Sequence, residues 1–275
     1  MNICFTVDEK FIPQFEVTMT SILSNANKDD EFNFYLVTDG LKSRTKKKLT
    51  KKYSNLVIVE LERGGEFEKY PLVSNSSYIV YLRLKIPSLL SNLDKILYLD
   101  SDLIVTGSLK SLYDTDISDF YVGAVADFGV HKFLPKHIEN LGLRDYFNAG
   151  VLLMNLKAFR EQGLEDKCYE ILTNNSPQIL FQDQDVLNIV CDEHVKSLET
   201  IFNCQVYKNT DVSGSVIVHY VGQDKPWSSI NVEKSSGLYW RYVCKTRYLF
   251  SFLSIFGMGI SKKYRKFFKY LFKHV

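Results

Sequence analysis

Cysteine is scarce and unpaired in this chain of 275 residues: five occur, at 4, 168, 191, 204 and 244, an odd number with no CxxC spacing. That excludes a disulfide framework and a cysteine-based zinc site, and it is the pattern expected of a reduced, cytoplasmic protein. No run of 18 apolar residues occurs, so no ordinary membrane-spanning helix is expected. The start, NICFTV followed by Asp8, Glu9 and Lys10, leaves no room for the apolar region of a signal peptide. Glycine is missing from TVDEKF (6–11), where a nucleotidyltransferase would favour a glycine-rich phosphate loop after the first strand. Acid is missing from the C-terminal end: all 32 Asp and Glu lie at or before Glu233, whereas ten of the 34 Lys and Arg lie in 234–275. A net charge of +2 therefore hides an acidic body and a strongly basic tail, and the tail points to an anionic partner.

What is present suits one sizeable α/β domain of 45% hydrophobic composition. Apolar strands at 2–7, 32–38, 56–61 and 95–99 alternate with helical stretches at 12–26, 42–52 and 78–85, the last stopping near Pro87. This rhythm predicts a Rossmann-like, mostly parallel sheet with helices on both faces. Beyond residue 103 the pattern is mixed, with strands at 121–127 and 150–156, helices at 157–174 and 183–191, and a Gly/Pro-punctuated loop at 219–227. The domain division drawn from this is 1–233 as catalytic body and 234–275 as basic, aromatic-rich tail.

Asp100-Ser101-Asp102 stands at the carboxyl end of the apolar strand KILYL (95–99). In extended chain the period of two sends both carboxylates to one side. Open α/β sheets bind ligands at that end of their strands, and paired hard oxygens suit Mn²⁺ or Mg²⁺ together with a diphosphate. The tripeptide alone also suits a solvated loop or a helix cap. Its context is more specific: YLRLKIP (81–87) precedes it, and YFNAGVLLMNL (146–156), FQDQDVLN (181–188) and HYVGQDKPW (219–227) follow in order.

With these motifs the chain resembles the retaining glycosyltransferases of family 8, which include bacterial lipopolysaccharide galactosyl- and glucosyltransferases and glycogenin. The resemblance runs from Asn2 to about Trp227. It implies a GT-A fold, a UDP-sugar donor, a divalent cation and retention of anomeric configuration. It also implies roles for individual residues. Asp100, Asp102 and His219 correspond to the ligands of Mn²⁺ (or Mg²⁺), with Ser101 beside the ribose. Gly222 corresponds to a close backbone approach to the phosphates, and Lys225 to the cation that neutralises the departing UDP. Thr6, Val7, Asp8 and Phe11 correspond to the uracil and ribose loop, where Phe11 replaces the usual Tyr and Lys10 a small polar residue. Arg83 corresponds to a contact with donor sugar or diphosphate. Asn148 and Ala149 correspond to positions beside the reacting sugar, Asp183 and Gln184 to its binding face, and Asp127 to an acidic position near donor and acceptor.

The reaction so implied is transfer of galactose or glucose to a surface glycan, such as lipopolysaccharide or a lipid-linked oligosaccharide. Gln184 is a poor nucleophile, which favours same-face attack by the acceptor hydroxyl over a covalent intermediate on Asp183 or Asp127. A nucleotidyltransferase and a non-catalytic sugar-nucleotide-binding protein are the other classes compatible with such a site. In the tail, Tyr264, Phe267, Phe268, Leu271 and Phe272 recur at helical spacing, with Lys262, Lys263, Arg265, Lys266, Lys269 and Lys273 opposite. Such a helix is expected to lie peripherally on the anionic inner face of the cytoplasmic membrane. Nucleic acid is not an expected partner, because the acidic body repels it.

Overall fold

The computed structural model describes residues 1–61, 70, 77–174, 179–222, 224–228 and 234–248. Its centre is a seven-stranded sheet in the order β3-β2-β1-β4-β7-β6-β8. The strands are β1 (Asn2–Thr6), β2 (Asn33–Thr38), β3 (Leu56–Glu60), β4 (Lys95–Leu99), β6 (Val122–Ala126), β7 (Phe147–Asn155) and β8 (Val195–Ser197). β3, β2, β1 and β4 pair in parallel, and β7 runs antiparallel to both β4 and β6. Continuous apolar runs build the inner strands because helices cover both faces: Ile3, Cys4 and Phe5 are buried in β1, as are the first eight residues of β7. In the edge strand β3 only Leu56 is buried, and Val57 and Glu60 are exposed.

The chain winds from β1 out to β3 and then crosses back to place β4 on the other side of β1. Strand order thus reverses between β1 and β4, and the crevice at such a reversal is where open α/β sheets bind ligands. Thr6 and Asp100 stand at the two strand ends that form it.

A second sheet of three short strands, β5 (Leu103–Val105), β10 (Ile217–His219) and β9 (Cys204–Gln205), lies beside the first. β10 pairs antiparallel with β5, and its His219 stands opposite Leu103. Helix α1 (Ile12–Ser24) packs on β5, and its buried Thr18 Oγ1 lies 2.7 Å from Leu103 O and 2.9 Å from Ser101 O.

Three expected elements take a different form. The helix over 78–85 is a 3-10 helix, and Pro87 sits in the first turn of the short α3 (Ile86–Leu89) rather than ending a helix. Proline is tolerated there because first-turn N–H groups have no intrahelical acceptor. The helix over 157–174 is two helices, α7 (Leu156–Glu161) and α8 (Leu164–Thr173), parted by Gly163 at φ +60°. The strand expected at 150–156 begins at Phe147, so the Asn-Ala-Gly segment lies inside the sheet.

Residue 234 opens α10 (Lys234–Val243), and the chain does not leave the body there. Tyr239 and Trp240 are fully buried in a cluster with Val17, Ile104, Val218 and Tyr220, and Trp240 Nε1 donates to Pro226 O at 3.0 Å. Fully buried Glu16 on α1 then receives Lys52 at 2.7 Å and Tyr248 at 3.0 Å, as well as Arg247. Residues 234–248 are therefore body by their packing, and the amphipathic stretch 262–274 lies outside the described residues. Trp240→Ala is expected to cost ~3–5 kcal/mol of stability, the range for a large buried aromatic. Urea denaturation measures it, and a loss below about 1 kcal/mol, the scale of exposed positions, would mean that α10 is not part of the core.

Candidate active site

Antiparallel pairing of β10 with β5 carries His219 to the Asp100-Ser101-Asp102 loop, and Tyr220 N–H closes the approach by donating to Asp102 O at 3.1 Å. Ligand atoms of Asp100, Asp102 and His219 come within 4.8 Å of one another. His219 Nε2 lies 3.2 Å from Asp102 Oδ1 and 3.9 Å from Asp100 Oδ2. Asp102 Oδ1 is buried and has no hydrogen-bond partner, although Nε2 is so near. Two carboxylates and an imidazole around an unsatisfied oxygen form a donor set that fits Mn²⁺ or Mg²⁺.

Lys225 Nζ holds the other oxygen of Asp102 at 2.6 Å and also donates to Tyr220 O. Burial works against ionisation of Asp102, but the Lys225 ammonium overcomes it and holds the carboxyl below its ordinary range. A depressed folded pKa means that this carboxylate stabilises the fold above about pH 4, and that the contribution is lost as pH falls further.

Arg83, on the 3-10 helix, is buried across the loop. Its Nη1 donates to Ala149 O at 2.6 Å and its Nη2 to Asp100 Oδ1 at 2.9 Å, and the guanidinium lies 4.6 Å over the Tyr98 ring. Nε is 2.7 Å from Asp183 Oδ2, yet the N–H is not aimed at it, so this contact is ionic. Arg83 thus braces two carboxylates and the Ala149 backbone. Burial pushes the Asp183 carboxyl up to about 6, against the pull of Arg83. Tyr98 OH donates to Asp100 Oδ1 at 2.7 Å and lies 2.9 Å from Thr6 Oγ1, tying the ends of β1 and β4 together.

On the far side, Gln184 of α9 (Gln182–Val190) takes the Ala149 N–H on Oε1 at 2.9 Å. Its Nε2 donates to Asp127 Oδ2 and Tyr146 OH, both at 3.2 Å. Asp127 also caps α5 (Phe128–Phe133) through Val130 N–H and accepts from Asn148 Nδ2 at 3.0 Å. Gln184 is therefore held as a fixed dipole, and Asp127 is bound into the same network.

The first-strand loop is built differently. Val7 is buried, its N–H bound to Val37 O, and Asp8 Oδ1 accepts from the N–H groups of Lys10 and Phe11. Phe11 keeps an exposed ring, suited to stacking on a base. Gly222 has φ +71° and open space around it, so its glycine serves the backbone conformation.

Several residues that shape the site escaped the sequence reading. Tyr98 had a signal, since it shares the period-two face with Asp100 and Asp102. Gly150 had one as the third member of Asn-Ala-Gly: a Cβ there would meet His219 Cε1 at 2.2 Å and Asp100 Oδ2 at 2.8 Å. Thr18, Tyr146 and Asn203 had none, because only the packing reveals their partners.

The family model described as Glycosyl transferase family 8 matches residues 2–231. The chain belongs to glycosyltransferase family 8. It is 30% identical over 247 residues to a lipopolysaccharide 1,3-galactosyltransferase of Salmonella typhimurium, covering 83% of this chain and 73% of that protein. It is 29% identical over 250 residues to a lipopolysaccharide 1,2-glucosyltransferase of Escherichia coli, covering 82% of this chain and 73% of that protein. The crystal structure of the galactosyltransferase LgtC, in complex with donor and acceptor sugar analogs, superposes with a TM-score of 0.82 at 24% identity, over 97% of this chain and 100% of that one. The fold is the GT-A fold of that enzyme, with a mostly parallel central sheet and a mixed second half. Among the described residues, no helix is long and apolar enough to cross a membrane.

Proposed function

We propose that this family 8 glycosyltransferase moves galactose or glucose from a UDP-sugar to a surface glycan acceptor, with retention of configuration and with Mn²⁺ or Mg²⁺ at Asp100, Asp102 and His219. The observation that carries this reading is Asp102 Oδ1, buried without a partner and facing His219 Nε2 across 3.2 Å. Bound there, the ion would offset the charge of the diphosphate leaving group.

The chain's own groups do the rest. Thr6, Val7, Asp8 and Phe11 would hold the uridine, with the Phe11 ring stacked on uracil. Ser101 would stand at the ribose. Gly222 and Lys225 would meet the phosphates; Lys225 now spends its charge on Asp102, and would share it with the diphosphate as UDP departs. Arg83 would fix Asp100 and Asp183 at the donor-sugar face. Asn148, Ala149 and Gln184 form a neutral, hydrogen-bonded wall beside the sugar. That wall supports same-face attack, because Gln184 offers a dipole to the cationic sugar and no nucleophile to trap it.

A panel of UDP-sugars with Mn²⁺ tests the reading by slow hydrolysis, without any acceptor. UDP release from UDP-galactose or UDP-glucose, abolished by EDTA, is the expected result. Donor binding with no release would instead favour a sugar-nucleotide-binding protein, and release undiminished by EDTA would remove the metal.

The tail reading is part of the same proposal. Residues 249–275 would lie on the anionic inner face of the cytoplasmic membrane, bringing the crevice to a lipid-linked acceptor. Sedimentation with anionic or neutral vesicles, comparing the full chain with one ending at Tyr248, decides it. Equal binding by both proteins would rule the tail out.

A further inference from the structure

Asn203 is almost fully buried between a 3-10 helix (Thr200–Phe202) and β9, away from every motif that marks the site. Its amide joins two residues that do belong to it. Nδ2 lies 2.9 Å from Asn148 Oδ1, and Oδ1 lies 3.0 Å from His219 Nδ1.

The direction of this chain of hydrogen bonds follows from groups that cannot be reversed. Gly150 N–H can only donate, and it donates to Asn148 Oδ1 at 3.1 Å. The Asp127 carboxylate accepts from Asn148 Nδ2 at 3.0 Å. Both ends of the Asn148 amide are thereby assigned. Asn148 Oδ1 must then receive the NH₂ of Asn203, which turns the Asn203 carbonyl toward His219. That carbonyl can only accept, so His219 Nδ1 carries the proton and Nε2 keeps its lone pair. The lone pair faces Asp102 Oδ1 at 3.2 Å and Asp100 Oδ2 at 3.9 Å. Two acceptors so placed explain why Asp102 Oδ1 has no hydrogen-bond partner.

We propose that Asn203 is a positioning residue that, through Asn148 and the Gly150 N–H, locks His219 in the tautomer that can ligate a divalent cation. This inference rests on the metal reading of Asp100, Asp102 and His219. It assigns to the β7 backbone a part in preparing the histidine, because the chain of bonds starts at Gly150. Outer partners of this kind orient the ligand ring and raise its basicity before the metal arrives.

The test uses the full chain and Mn²⁺ alone. Asn203→Leu keeps the volume and removes the acceptor. Asn203→Asp keeps an acceptor for Nδ1–H but removes the donor to Asn148. Calorimetric titration is expected to show Mn²⁺ binding weakened about 10- to 100-fold by Asn203→Leu. Asn203→Asp should stay within about fivefold of the unmodified protein, since the acceptor that sets the tautomer persists. Both substitutions break the contact with Asn148, so both should lower the melting temperature. A merely structural role would make affinity follow stability in both. In the metal-free protein labelled with ¹⁵N-histidine, His219, assigned by its loss in His219→Gln, should show a protonated Nδ1 and an unprotonated Nε2. Asn203→Leu binding Mn²⁺ within twofold of the unmodified protein, or a protonated Nε2, would overturn the relay. If the unmodified protein bound no Mn²⁺, the metal reading would fall, and the relay as a metal-site device with it. If it bound Mn²⁺ and both variants bound equally well, the relay alone would fall.

Discussion

Asp102→Asn is expected to reduce sugar transfer by about three orders of magnitude or more, ~4 kcal/mol of transition-state stabilisation, while leaving the fold intact. The Asp102 side chain sits between two different neighbours, Lys225 Nζ at 2.6 Å and His219 Nε2 at 3.2 Å. In the amide, the NH₂ group would be repelled by the lysine and would turn toward the histidine. It would donate to Nε2 and occupy the space between the two ligands. The substitution thus removes a negative charge and also fills the cation position with a hydrogen bond. Turnover of UDP-sugar, followed with and without added Mn²⁺, measures the effect, and circular dichroism checks the fold. Activity within tenfold of the unmodified enzyme would exclude Asp102 as a ligand.

Gly150→Ala is expected to lower kcat by two to three orders of magnitude, with a stability loss of ~1–3 kcal/mol from overpacking. The added methyl would stand 2.2 Å from His219 Cε1 and 2.8 Å from Asp100 Oδ2. The strand has little freedom to retreat: β7 is flanked by β4 and β6, and Gly150 O accepts from Asp100 N–H at 2.8 Å. The side chains must move instead, and a displacement near 1 Å at a reacting centre is enough for a loss of this size. Gly107→Ala is the matched control, because its Cβ would meet only Val216 side-chain atoms at 3.8 and 3.9 Å. If the two alanine variants turned over equally, the close approach at Gly150 would have no functional meaning.

Apolar runs made the strands of the central sheet readable, since a buried parallel strand needs hydrophobic residues on both faces. They did not reveal β8 at its edge, nor β5, β9 and β10, which hold two or three residues each, too few to show a period. Helix ends were less legible than strands. Gly163 could break 157–174 only through its left-handed backbone, which composition does not announce. Charge and packing do not change at the same residue: acid stops at Glu233, whereas Trp240 is fully buried beyond it.

The chain's sequence by itself determined the family, the parallel half of the sheet and the chemical types at the site, because motifs in order and alternating apolar segments are local properties. Only the tertiary structure decided which of those residues meet. His219 reaches Asp102 from more than a hundred residues away through one antiparallel pairing, and Asp102 is left with an unpartnered oxygen as a result. Arg83 turned out to brace Asp100 and Asp183, and Asn203 joined the site without any motif. Hydrogen bonds of this kind depend on distance and direction between side chains brought together by packing, and neither quantity is written in the order of the residues.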